Sequence, residues 1–249
     1  HTEYPDLREH EEIAIDLETK DTDLKSLGSG AVVGRGEVVG IAVAVEGWKG
    51  YFPLRHENGG GNFDENILKR QVQKIMALPC DKVFHNAAYD VGWLRWWGVE
   101  VKGKIIDTLI AAPLIDENRF QYTLNVLGKD YLQETKSEAG LYEAAREWGV
   151  DAKSEMYKLP SLHVGAYAER DAEATFGLWQ EMKKEIIHQD LEDIFDLETE
   201  LFPCLVDMRF KGVRVDVAGA HKIKKELIEQ EHKLLYEIKR ETNIDTQIW

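Results

Sequence analysis

The sequence predicts an α/β fold in which a mixed central sheet is flanked by helices and followed by a C-terminal helical extension. Residues 11–18 alternate between apolar and polar positions, which is typical of a strand with one face on a core. Residues 38–45 and 49–54 are two further strand-like runs joined by a short turn, the start of an antiparallel meander. Strand and helix patterns then alternate along the chain, which favours a layered α/β structure.

The remaining elements follow from periodicity and from signals that end helices. We predict a helix at about 64–76, a strand at 82–85, a helix at 87–97, a strand at 104–106 and mostly helical chain over 107–188. The last stretch includes a long helix over 163–188 that lies across the sheet. The extension should hold two helices, one ending near 210 and one over 217–241. The second carries an apolar stripe that should pack on another surface: Ala220, Ile223, Leu227, Leu234 and Ile238.

Composition narrows the class of protein. The chain has 249 residues, of which 43% are hydrophobic, yet it has no uncharged apolar run near the length of about 18–20 that spans a bilayer. We therefore expect an intracellular, cytoplasmic protein with no membrane partner. Cys80 and Cys204 stand outside any Cys-x-x-Cys spacing, so we expect two core residues and neither a zinc site nor a disulfide.

The net charge of −15 argues against a chain that holds long duplex DNA by itself, because such binding depends on Lys and Arg. The charge does not exclude an enzyme that acts on nucleic acid, since a site for divalent cations needs clustered carboxylates. The chain begins at His1 and ends on the apolar pair Ile248-Trp249. We read these ends as those of a fragment of a longer protein, for which a phage or virus is one source.

Three short clusters carry the candidate chemistry. In the first strand, Asp16 and Glu18 are two residues apart and share one face, so they can hold a cation together. Surface strands often carry such a pair, which makes the pair weak evidence by itself. In the second cluster, Asn86 and Asp90 lie four apart where a strand passes into a helix. Asn86 could equally be a helix N-cap, with Asp90 as a favourable first-turn acid.

The third cluster lies on the long helix. Tyr167 and Asp171 are four apart, and a phenol beside a carboxylate can orient one water molecule. Glu169 and Glu173 fall on other faces of the same helix. A lone Tyr-x3-Asp is commonplace in helices, so the argument depends on the three clusters occurring together and in order.

The joint pattern resembles the three motifs of the DEDD exonucleases. Asp-x-Glu on a strand, Asn-x-x-Tyr-Asp and Tyr-x3-Asp match the tyrosine branch of that superfamily, whereas the histidine branch has His where this chain has Ala166. The resemblance covers about 10–190. It implies a ribonuclease H-like exonuclease fold for residues 1–190.

A second resemblance concerns the region after 190. Glu200-Leu201-Phe202-Pro203-Cys204-Leu205 and Gly212-Val213-Arg214-Val215-Asp216 look like the passage from proofreading domain to polymerase domain in family A DNA polymerases. Ile106-Asp107-Thr108 and Tyr122-Thr123-Leu124-Asn125 likewise resemble stretches of that proofreading domain. The resemblance implies that 191–249 is a helical segment at the start of a polymerase domain, which would be the partner of the exonuclease in the parent chain.

The family resemblance also implies a mechanism with two divalent cations, Mg²⁺ or Mn²⁺. Asp16 would bridge both ions, Glu18 and Asp171 would complete the first site, and Asp90 would hold the second. Tyr167 would orient the attacking water, and Asn86 and Thr19 would contact the substrate. The expected substrate is a single-stranded or frayed 3′ end of DNA, from which nucleoside 5′-monophosphates are released.

Two other functions remain open at this point. An exoribonuclease similar to RNase D would use the same carboxylates on RNA, since both substrates offer the same phosphodiester. A non-catalytic nucleic-acid-binding or scaffold domain would keep the fold but lose some of the acids, and none of the four is missing. Trp93, Leu94 and Trp97 share the helix face of Asp90, and we interpret them as core residues instead of a platform for bases.

Overall fold

The computed structural model describes residues 4–59, 61–133 and 138–246. Contacts divide the chain into two compact units, His1–Phe210 and Lys211–Trp249. The described residues form the following strands and helices: β1 (Glu12–Lys20), α1 (Leu24–Leu27), α2 (Gly30–Val33), β2 (Glu37–Val45), β3 (Trp48–Pro53), α3 (Glu65–Met76), β4 (Asp81–Phe84), α4 (Ala87–Trp96), β5 (Ile105–Asp107), α5 (Thr108–Ile115), α6 (Leu124–Leu132), α7 (Ala139–Trp148), a 3₁₀ turn (Met156–Lys158), α8 (Ser161–His188), α9 (Glu192–Lys211) and α10 (Val217–Thr242).

The five strands form one mixed sheet in the order β3-β2-β1-β4-β5. β1, β2 and β3 are antiparallel neighbours, whereas β1, β4 and β5 are parallel. The predicted α/β fold with a mixed sheet is therefore confirmed. The strand with the first acidic cluster is central, so its side chains lie between helical layers.

The alternation along β1 divides the core in two. Ile13, Ile15 and Leu17 pack with residues of α3 and α4 on one face of the sheet. Ala14 packs on the other face with the alanines of β2 and with Val164, Ala168 and Ala172 of α8. Small side chains at this second contact let α8 approach the sheet closely, and Asp16 and Glu18 belong to the same face as Ala14.

Acidic side chains fix α8 on the sheet. Glu12, at the start of β1, accepts hydrogen bonds from Trp179 Nε1 (2.8 Å), Gln180 Nε2 (2.6 Å) and Lys183 Nζ (3.0 Å). On the edge strand β3, the backbone N–H of Tyr51 donates to Glu169 (3.0 Å), and Lys49 forms an ion pair with Glu173. Glu169 and Glu173 therefore serve the helix-to-sheet contact, in agreement with their predicted position away from Asp171.

The structure differs from the sequence predictions at two short helices and at the cysteines. The short helices α1 and α2 after β1 were not predicted, because four-residue helices leave too little periodicity to detect. The prediction that both cysteines are core residues is wrong: Cys80 is half-buried, and Cys204 is exposed on α9. Trp93, Leu94 and Trp97 are buried, as expected.

The first compact unit reaches beyond the predicted boundary at 190, since Phe195, Phe202 and Val206 of α9 are buried in its cores. The functional division at 190/191 stays a prediction. Within the described ranges, no helix is both long and apolar enough to cross a bilayer. The two ends on which the fragment expectation is based, at His1 and Ile248-Trp249, lie outside the described residues.

In the second unit, α10 begins at an N-cap, where Asp216 accepts a hydrogen bond from Gly219 N (2.9 Å). It ends at Asn243, which has the left-handed conformation that asparagine tolerates. Ile223, Leu227 and Leu234 of the predicted stripe are exposed. That the stripe packs on a partner stays a prediction.

Candidate active site

The first acidic pair lies on the central strand where the parallel pairing stops. β1 pairs with β4 only over Glu12–Ala14, because β4 ends at Phe84 and the chain turns into α4. Asp16 and Glu18 follow on β1, half-buried, and point to the α8 side of the sheet. The strand therefore presents both carboxylates at the point where the sheet opens.

Asp90 of α4 is tied to this same point. Its Oδ1 accepts a hydrogen bond of 3.0 Å from the backbone N–H of Leu17, the residue between Asp16 and Glu18. The pairing of β1 with β4 stops at Ala14. The Asp90 carboxylate therefore accepts the hydrogen bond that a neighbouring strand would accept from Leu17. Asp90 is only 5% exposed, and burial together with the negative charge of Asp16 raises its pKa well above the usual value.

Asn86 occupies the N-cap position of α4, but its side chain does not cap the helix. Its backbone is left-handed, with φ of 70°, and Asp107 accepts the hydrogen bonds of the first turn from Asn86 N (2.9 Å) and Ala87 N (2.8 Å). The same Asp107 caps α5 through Leu109 N (2.9 Å). Asn86 therefore occupies the N-cap position, as the capping interpretation predicts. The group that caps the helix, however, is the carboxylate of Asp107 and not the side chain of Asn86.

Asp107 is a residue that motif reasoning did not place in the site. It is buried at the end of β5 and, by holding the first turn of α4, sets the position of Asp90 one turn further on. Burial raises its pKa, although three backbone N–H groups favour the charged form. The available signal was an acid at the end of a predicted strand, directly before a helix.

Tyr167 and Asp171 approach the acids of β1 from α8. The Tyr167 hydroxyl is hydrogen-bonded to Asp171, as their spacing of four residues predicts. Burial, followed by the charges of Asp171, Glu18 and Asp16, raises the pKa of Tyr167, so the phenol stays neutral. The neutral Tyr167 hydroxyl therefore lies within electrostatic reach of Asp171, Glu18 and Asp16.

The Thr19 hydroxyl is hydrogen-bonded to a side chain of the protein, that of Tyr89. A β-bulge between Glu18 and Thr19 shifts the register with β2, and Thr19 Oγ1 lies 2.6 Å from the hydroxyl of Tyr89. Tyr89 also donates to Asp21 (3.3 Å), which accepts from Gly30 N (3.1 Å). The predicted substrate contact at Thr19 stays a prediction, and its hydroxyl would have to serve both Tyr89 and a ligand.

Tyr51 forms a wall of the site. Gly40, the partner of Glu18 on β2, has the Tyr51 hydroxyl 2.0 Å from the position that a Cβ would occupy, so only glycine fits there. The Tyr51 hydroxyl bonds to His56 Nε2 (2.8 Å). Burial, and then the charges of Glu18 and Asp16, raise the pKa of Tyr51.

The donor set fits hard divalent cations. All four predicted ligands are carboxylates. Burial, and then the charge of Asp16, raise the pKa of Asp90, and a bound cation would favour its charged form. Among the described residues, no group of three or more His, Cys, Asp or Glu side chains is close enough together to hold a metal ion as it stands. A cation bound among these side chains would offset the repulsion between their charges.

Solved structures identify the class of this fold. NrnC of Brucella melitensis, described with bound Mg²⁺, matches with a TM-score of 0.60 at 16% identity, over 86% of this chain and 94% of its own. The POL domain of Pol1 from M. smegmatis, in complex with DNA primer-template and dNTP, matches with a TM-score of 0.62 at 16% identity, over 94% of this chain and 34% of its own. The protein has the ribonuclease H-like exonuclease fold.

The chain belongs to the 3′-5′ exonuclease family of the family A DNA polymerases, whose profile matches residues 4–187. It is 35% identical over 233 residues to a DNA-directed DNA polymerase of Pseudomonas phage M6, across 91% of this chain and 35% of that protein. It is 30% identical to the DNA polymerase DpoZ of Salmonella phage PMBT28, across 88% of this chain and 34% of that protein. The chain spans about a third of these relatives.

Proposed function

We propose that this chain is a metal-dependent proofreading exonuclease that removes nucleotides from a single-stranded or frayed 3′ end of DNA. The observation that carries the proposal is the buried carboxylate of Asp90, fixed by the Leu17 N–H between Asp16 and Glu18 on the central strand. An acid kept buried among acids destabilises the fold unless a cation is bound, so the arrangement is explained by function.

Asp16, Glu18, Asp90 and Asp171 would hold two divalent cations, Mg²⁺ or Mn²⁺. When bound, such ions stabilise charge on the attacking and leaving oxygens of a phosphoryl displacement. The Tyr167 hydroxyl, next to Asp171, would accept a hydrogen bond from the attacking water and orient it. Asn86, whose side chain does not cap α4, and Thr19 would contact the substrate.

In this reaction the water oxygen bonds to the phosphorus of the terminal phosphodiester, and the bond from phosphorus to the 3′ oxygen of the penultimate nucleotide breaks. The water loses a proton, the 3′ oxygen gains one, and a nucleoside 5′-monophosphate leaves. The family A polymerase relatives support DNA as the substrate, a polymerase domain as the partner in a longer chain and a phage as the source, acting inside its host cell.

Digestion of matched 5′-labelled single-stranded DNA and RNA oligonucleotides tests the proposal. With Mg²⁺ or Mn²⁺ we expect DNA to shorten from its 3′ end, with no shortening in chelator or in Asp16→Ala. Preference for RNA would transfer the assignment to the RNase D-like alternative. If a folded wild-type chain cleaves neither substrate, the binding or scaffold alternative is favoured.

A further inference from the structure

Lys153 lies beside the candidate active site, and the three motifs do not include it. Its ammonium donates a hydrogen bond of 3.1 Å to the Tyr167 hydroxyl. The nitrogen is 4.7 Å from the centroid of the Tyr167 ring and 6.0 Å from that of Tyr142. The short distance to the oxygen shows that the contact is made at the hydroxyl end of the phenol.

The surrounding structure holds Lys153 in this place. Its ammonium also forms an ion pair of 2.9 Å with Glu138. Its backbone lies in a tight turn in which Asp151 Oδ1 accepts from Lys153 N (3.1 Å) and Ser154 N (2.7 Å). The intervening Ala152 is buried in the core. A side chain fixed at both its backbone and its charged end is suited to orient a neighbour.

The chemistry of the contact determines the direction of the Tyr167 O–H bond. A phenolic hydroxyl has one proton to donate and two lone pairs, whereas an ammonium can only donate. The Tyr167 proton therefore points away from Lys153 and toward Asp171, with which the hydroxyl is hydrogen-bonded. One lone pair of the oxygen accepts from Lys153, and a phenolic oxygen has a second lone pair with which it can accept from water.

We propose that Lys153 is a positioning residue that locks the Tyr167 hydroxyl in the orientation needed to accept a hydrogen bond from the attacking water. The proposal extends the function proposed above and depends on the role given there to Tyr167. Lys153 acts through the phenol and has no direct contact with the reacting atoms. Its loss should therefore slow the chemical step and leave substrate affinity nearly unchanged.

A double-mutant cycle under single-turnover conditions tests this on single-stranded DNA with Mg²⁺. We expect Lys153→Met to lower the maximal rate about tenfold, a typical effect of losing one charge-assisted hydrogen bond. The concentration that gives half of the maximal rate (half-saturation) should change less than about twofold. Lys153→Arg should restore most of the rate. In a Tyr167→Phe background, Lys153→Met should have no further effect. Lys184→Met, which removes a lysine paired with Glu181 elsewhere on α8, is the charge-matched control.

Three results would overturn the proposal: an equal loss of rate in the Tyr167→Phe background, a loss confined to half-saturation, or the same loss in Lys184→Met. The contact between Lys153 and Tyr167 can also be measured without catalysis. The assay is urea unfolding of the wild type, Lys153→Met, Tyr167→Phe and the double variant. We expect the midpoint shift of the double variant to be smaller than the sum of the single shifts, and additive shifts would exclude the contact. If the unfolding data show the contact but the wild-type chain does not shorten a 3′ end, the proposed exonuclease function is rejected while the contact itself stands.

Discussion

Replacing Asp90 by Asn should stabilise the protein in chelator while abolishing cleavage. Asparagine has nearly the same shape and keeps an oxygen that can accept the Leu17 N–H. It removes the negative charge that burial and Asp16 disfavour. The acid therefore lowers stability for as long as no cation is bound.

The size of the effect follows from two opposing changes. The hydrogen bond from Leu17 loses its charged acceptor, which costs about 1 kcal/mol. Relief from keeping a carboxylate in a site only 5% exposed is worth several kcal/mol. We expect a net gain of about 2 kcal/mol or more, or a rise in Tm of about 4 °C or more. Asp90→Ala leaves the Leu17 N–H unpaired and should lie about 1–3 kcal/mol below Asp90→Asn.

The pH dependence has a defined sign. Because the folded pKa of Asp90 lies above the unfolded value of about 3.9, wild-type stability falls as pH rises from there toward the folded pKa. The advantage of Asp90→Asn should be small near pH 4 and greatest at neutral pH.

Thermal unfolding in EDTA and in Mg²⁺ is the assay, with the exposed Asp207→Asn as the charge-matched control. Mg²⁺ should raise the Tm of wild type more than that of Asp90→Asn. A Tm of Asp90→Asn at or below wild type in EDTA would refute the electrostatic reasoning.

Two further predictions concern groups that position the site. Asp107→Ala should destabilise the fold by about 2 kcal/mol or more in urea titrations, since it uncaps α4 and α5, and it should also lower cleavage by displacing Asp90; unchanged cleavage would contradict the positioning role. Burial opposes ionisation of Glu12, but hydrogen bonds from Gln180 and its neighbours outweigh it and lower the pKa of Glu12. The charged Glu12 should therefore stabilise the folded state fully above its unfolded pKa of about 4.3. This stabilisation should be lost as pH falls through the lower pKa of the folded state. The Tm difference between wild type and Glu12→Gln should therefore narrow in acid. A difference that stays constant with pH would contradict the stabilising role of the Glu12 charge.

The sequence predicted the parts of the site that follow from local periodicity. The two-residue repeat of β1 places Asp16 and Glu18 on one face, and the four-residue spacing places Tyr167 beside Asp171. Both statements need only the geometry of a single strand or helix. The mixed sheet likewise followed from the order of strand and helix patterns.

Contacts between distant segments could not be predicted in this way. Asp107 lies 20 residues from Ala87 in sequence, and only the parallel pairing of β4 with β5 brings its carboxylate to the start of α4. Asn86 had the right residue type for an N-cap, but its left-handed backbone and the nearby Asp107 displaced it from that role. Lys153 lies on an irregular segment, where no periodicity links it to Tyr167.

The burial of α9 bears on how this exonuclease could be separated from, or exchanged between, longer proteins. Phe202 and Val206 fall in the segment that resembles the polymerase side of the junction, yet both are part of the core beneath α4. A cut after 190 would remove these side chains and expose the apolar surface that they cover. We therefore expect a chain cut after residue 210 to keep this core intact, and a chain cut after 190 to be less stable.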